Sequence, residues 1–68
     1  MTPAADVDQL GLLFHRLNNQ LGIILANAEL IEQKAADETT RARASQVVSS
    51  AVDAMGTAKE LRLRLKGA

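Results

Sequence analysis

Cysteine, tryptophan and tyrosine are absent from this chain, which has a single aromatic residue, Phe14, a single proline, Pro3, and a single histidine, His15. Without cysteine there can be no disulfide and no thiolate metal site. One histidine makes a metal centre only if carboxylates complete it, and no carboxylate stands three or four residues from His15. Neither a metal nor a cofactor is therefore expected. An excess of charge of either sign is also missing, because eight basic residues balance eight acidic ones. That removes the electrostatic footprint of a nucleic-acid partner. The longest apolar runs are three or four residues, such as Ile23-Ile24-Leu25-Ala26, against the ~20 needed to span a bilayer. The start, Met1-Thr2-Pro3-Ala4-Ala5-Asp6, has no basic region and no signal-peptide core. The expectation is a soluble cytoplasmic protein with no membrane partner. The glycines are scattered at Gly11, Gly22, Gly56 and Gly67, so no phosphate-cradling loop is present.

Sixty-eight residues make one small domain, 1–68. A chain this short buries only ~60% of the surface its unfolded form exposes. With disulfides and metals excluded, oligomerisation is the remaining source of stability. Hydrophobic residues make up 47% of the chain, almost all of them Leu, Ile, Val and Ala, as suits layered helix packing.

From Leu10 the apolar residues fall on a heptad: Leu10, Phe14, Leu17, Leu21, Ile24, Ala28, Ile31. Steps alternating between four and three define a seam that faces partner helices. Leu13 and Leu25 widen it. This pattern predicts a first helix over about 3–35, capped by Thr2 with Pro3 in the first position, or by Asp6. Asp37-Glu38-Thr39-Thr40 reads as a tight connection, with Asp37 or Thr39 as the next cap. A second helix over about 38–66 has its own seam at Thr40, Ala44, Val47, Ala51, Ala54, Ala58, Leu61 and Leu65, with Val48, Val52 and Met55 beside it. Lys59, Arg62, Arg64 and Lys66 gather in its last turns, where the macrodipole favours cations, before Gly67. Leu61-Arg62-Leu63-Arg64-Leu65 alternates as a strand would, but five residues without a partner form no sheet. The short connection makes the two helices antiparallel neighbours. Both stripes are wider than one helix contact covers. The predicted fold is therefore all-α, an antiparallel two-helix hairpin forming a homodimeric four-helix bundle.

On a helix, residues three, four and seven apart share a face. The face of His15 then holds Gly11 one turn before, Asn18 and Asn19 one turn after, and Gly22 two turns after. Phe14 points into the seam, which leaves the imidazole at the bundle edge. A mid-helix glycine costs ~1 kcal/mol relative to alanine, so two of them around the only histidine invite a reason. Openness to an approaching protein surface is one such reason, and close helix packing is another. Spacing alone also allows His15 to be an ordinary solvated side chain and the Asn pair an ordinary polar face.

The segment Phe14-His15-Arg16-Leu17-Asn18-Asn19-Gln20-Leu21-Gly22-Ile23-Ile24-Leu25-Ala26-Asn27-Ala28-Glu29-Leu30 resembles the H-box of sensor histidine kinases. It is most similar to the hybrid-kinase pattern His-Asp-Phe-Asn-Asn-x-Leu followed by Ile-Leu-x-Asn and Glu-Leu. Ala51 to Leu65 is similar to the second helix of the same domain. The resemblance implies a dimerisation and histidine-phosphotransfer domain, a dimeric antiparallel four-helix bundle. It makes His15 the phosphoryl acceptor and Asn19 the amide that orients water during regulator dephosphorylation. Gly11, Asn18 and Gly22 become the partner-docking surface. The residue after the histidine is normally an acid that orients the ring and acts as base. Here it is Arg16, which stays protonated and accepts no proton.

The ATP-binding domain that follows the second helix in such kinases is not present, so no autokinase activity is expected of this chain alone. Three functional readings follow. The first is a two-component phosphotransfer module, a homodimer whose His15 exchanges a phosphoryl group with the aspartate of a response-regulator receiver domain. The second is a degenerate, non-catalytic dimerisation module that docks a histidine kinase or a regulator, in keeping with Arg16. The third is a structural coiled coil, which leaves Gly11, Gly22 and the Asn pair without a purpose. Monomeric phosphotransfer bundles carry Lys-Gly after the histidine, a motif not found here.

Overall fold

The computed structural model describes residues 3–67, with side chains described over 9–65. Helix α1 spans Pro3–Lys34 and helix α2 spans Glu38–Gly67, with no strand among the described residues. The two lie against each other as a hairpin 53 Å long and 16 by 12 Å across. Pro3 occupies the first helical position, where its missing N–H would have no intrahelical partner anyway. Thr2, the suggested cap, lies outside the described residues. No interior proline interrupts either helix, and no described residue has a positive φ, so the interior glycines sit in ordinary helical conformation. Leu61 to Leu65, strand-like in its alternation, continues α2.

The chain reverses through Ala35, Ala36 and Asp37. Asp37 is the cap of α2, its Oδ2 accepting the backbone N–H of Thr40 at 2.9 Å and its Oδ1 the Thr40 hydroxyl at 2.7 Å. Its carbonyl accepts the first helical bond, from Arg41 N–H at 3.1 Å. Thr39, the other candidate cap, lies inside α2. Thr40, the first residue of the second seam by its spacing, spends its hydroxyl on this cap and remains exposed. Arg41 ties the turn together: one guanidinium nitrogen donates to the Ala35 carbonyl at 3.2 Å, an otherwise unpaired acceptor at the end of α1. Its other nitrogen meets Glu38 at 3.1 Å.

Packing within the hairpin uses only half of each heptad. The buried residues are Phe14 and Ala28 on α1 and Ala44, Ala51 and Ala58 on α2, with Leu21 half-buried. Phe14 and Ala58 line one groove, and Ala28 and Ala44 line another. Leu21 and Ala51, seven residues from each pair, fall in register between them. Small alanines on α2 thus receive the bulkier first helix. The alternate seam positions are mostly open: Leu10, Leu17, Ile24 and Ile31 on α1 and Val47 and Leu61 on α2 are exposed, and Ala54 is half-buried. Leu65, seven residues beyond Ala58, is exposed as well. Ile24, Ile31 and Val47 flank an apolar groove of about 490 Å³ between the helices near the turn.

The accessible surface is 5397 Å², whereas a compact folded monomer of 7.3 kDa exposes about 4,200 Å². Leu12, Leu13, Ile23, Leu30 and Leu63 are among the large aliphatic side chains that the hairpin exposes. No helix among the described residues is long and apolar enough to cross a membrane.

Candidate functional site

Phe14 and His15 are consecutive, and a helix turns about 100° between them. Burial of Phe14 against α2 therefore fixes the side to which His15 is turned. Phe14 is 9% exposed while His15 lies in the open. The imidazole makes no hydrogen bond or ion pair with any other described residue.

The neighbouring glycines are not needed for packing inside the hairpin. A Cβ built at Gly11 or Gly22 would meet nothing within 4 Å. Close packing of α1 on α2 therefore does not require either glycine. Each instead leaves a shallow, half-buried gap on the histidine side of α1.

The Asn pair, expected on one face, divides. Asn18 is half-buried and lines a groove of about 520 Å³ between α1 and α2, with Phe14, Met55, Ala58, Lys59 and Arg62. Asn19 is exposed on the outer side of α1, one turn from His15. Neither amide makes a side-chain hydrogen bond with another described residue, in contrast to Asn27, which donates to the Ile23 carbonyl at 3.0 Å. Arg16 is exposed and makes no ion pair among the described residues. It is about 100° around the helix from His15, on the side away from Phe14 and the groove.

Sequence reasoning misses the contribution of α2. By the dipole argument Lys59 and Arg62 are simply cations near a helix C-terminus. The hairpin register brings them to the groove that Phe14 and Asn18 line. Pairing the two seams layer by layer from the turn outwards would have found them. Among the described residues no group of three His, Asp or Glu side chains gathers closely enough to hold a metal. No family model, no curated protein and no solved structure matches the chain.

Proposed function

We propose that this chain is a two-component phosphotransfer module of the dimerisation and histidine-phosphotransfer kind, in which His15 carries the phosphoryl group. The observation that carries the reading is the exposed imidazole, without a partner among the described residues, beside a buried Phe14, with open space over Gly11 and Gly22. The module works as a cytoplasmic homodimer. Two hairpins set their open seams together, and the Leu, Ile and Val residues that one hairpin leaves in water form the centre of a four-helix bundle. The exposed Leu10, Leu17, Ile24, Ile31, Val47 and Leu61 are the apolar surface that such an interface, ~800 Å² per partner at standard size, would cover.

In the exchange, a lone pair on an imidazole nitrogen attacks phosphorus and the bond to the donor breaks. In the reverse direction a receiver carboxylate attacks, the P–N bond breaks, and the electron pair returns to the ring. The response-regulator receiver domain brings its own acidic pocket, so the bundle supplies only a presented nucleophile. Asn19, exposed one turn away, is placed to orient water; Gly11, Asn18 and Gly22 form the surface a partner meets. A phosphorylated regulator or a histidine kinase from the same cell is the donor. The test is acid-labile, base-stable phosphate on His15 after incubation with such a donor, absent in His15→Ala. Failure of every cognate donor to label His15 would remove the reading.

Arg16 favours a second reading, a docking module that dimerises and binds a kinase or regulator without phosphotransfer. A cation takes the place of the acid that would accept the ring proton. Full signalling by a His15→Ala variant would select this reading over the first.

A further inference from the structure

We infer that Lys59 and Arg62 of α2, with the Asn18 amide of α1, form a receiving site for the oxygens of a phosphoryl group at His15. This rests on His15 being the phosphoryl-bearing residue and adds a second helix to its chemistry. Phe14 and Ala58 line the same groove with Asn18, Lys59 and Arg62. His15 does not line it, but it follows Phe14 in the chain, and the helix turn of about 100° sets it on the Asn18 side of α1. Packed helices run 8–10 Å apart, a span that the long stems of lysine and arginine cross. Phe14 and Ala58 are buried and Met55 half-buried, which gives the groove an apolar floor under three polar side chains.

Among the described residues the charges of these two are uncommitted. Neither Lys59 nor Arg62 forms an ion pair among the described residues, whereas neighbouring Arg64 is held by Glu60 at 3.0 Å. The Asn18 amide is likewise unused by any described partner. Two cations and an amide donor beside an apolar floor suit a group with several anionic oxygens. Arg16, on the far side of His15, is outside this arrangement.

Phosphoramidate tests the site without any partner protein. The imidazole nitrogen attacks its phosphorus, the P–N bond of the donor breaks, and ammonia leaves with the proton that the ring gives up. The rate of acid-labile phosphate appearing on His15 is measured on the full chain at low and high salt. Lys59→Ala/Arg62→Ala slows labelling about three- to ten-fold at low salt, and the difference shrinks at high salt because both cations are exposed. Arg64→Ala, which removes one cation already held in an ion pair with Glu60, leaves the rate within about twofold. Lys59→Arg/Arg62→Lys retains most of it, and circular dichroism verifies the helices of each variant. Labelling of the double alanine variant at the wild-type rate overturns the site, as does wild-type protein that phosphoramidate does not label at His15. Exchange with a receiver domain is scored separately. Its absence, with the variant effect intact, defeats the two-component reading while leaving the anion site standing.

Discussion

Phe14 and His15 are neighbours in sequence and opposites in environment: the ring of one is buried against α2, and the ring of the other is in solvent. One peptide unit thus joins the bulkiest anchor of the hairpin to its one imidazole. Truncating the two has separable consequences. Phe14→Ala leaves a cavity opposite Ala58 and costs about 3 kcal/mol, enough to unfold much of a chain this small. His15→Ala changes stability by no more than about 0.5 kcal/mol, because the ring is exposed and makes no hydrogen bond or ion pair with another described residue. Urea denaturation followed by circular dichroism separates them. A large loss for His15→Ala would mean that the imidazole is part of the packing.

The open seam makes a prediction about assembly. Ile24 is 47% exposed and Val47 44% exposed across one groove, yet both occupy heptad positions that ought to be covered. Placing a carboxylate there, as in Ile24→Asp, buries an unpaired charge in the bundle and weakens the dimer by at least ~30-fold. Leu12→Asp, at a residue 71% exposed on a different side of α1, has little effect on dimerisation. Light scattering over a dilution series measures both, and the melting temperature of the wild type rises with concentration if folding and pairing are coupled. A wild-type chain that stays monomeric, with a melting temperature independent of concentration, contradicts the bundle.

What could be read from the sequence follows the strength of the local signal. Two unbroken aliphatic seams, separated by an Asp-Glu-Thr-Thr connection, specify two helices and a sharp reversal with few alternatives. The seams do not say which of their alternating positions meet inside the hairpin, because Leu17 and Leu21 look alike in a pattern of apolar residues. Only packing assigns Leu21 to the interior and Leu17 to the open side. The same limit applies to the site. Asn18 and Asn19 both lie within one turn of His15, and the position of α2, which a helix wheel of α1 omits, sends one into the groove and leaves the other outside. Lys59 and Arg62 are hidden for the same reason: their significance depends on what lies across from them.

Gly22 offers a substitution whose effects on stability and function run in opposite directions. A methyl group at this position has nothing within 4 Å of it, so Gly22→Ala meets no obstacle in the hairpin. It stabilises α1 by about 0.5–1 kcal/mol, the ordinary helix-propensity difference. If the gap serves an approaching partner, the same methyl slows phosphoryl exchange or weakens docking by several-fold while the melting temperature rises. Kinetics of transfer and thermal denaturation on one preparation decide it. Unchanged transfer in a stabilised variant would show that the glycine is not needed for access.

The cap of α2 brings a pH dependence. The backbone N–H of Thr40, and then its hydroxyl, donate to the Asp37 carboxylate and hold its pKa below the ordinary 3.8. A carboxyl whose folded pKa is depressed binds fewer protons in the native state than in the unfolded one. Its stabilising contribution is therefore fully present above the unfolded value and fades as pH falls through the folded value. Because Asp37 is fully exposed, solvent screens this contribution and the effect is modest. Thermal melts on either side of pH 3.8 show the wild type losing this increment in acid. Asp37→Asn keeps an oxygen acceptor for Thr40 N–H and removes the titration, so its melting temperature varies less with pH over that window. Asp37→Ala loses the cap at every pH and frays the first turn of α2, releasing Arg41 and Glu38 along with it. An Asp37→Asn variant whose acid dependence equals that of the wild type would assign the pH response to other carboxylates.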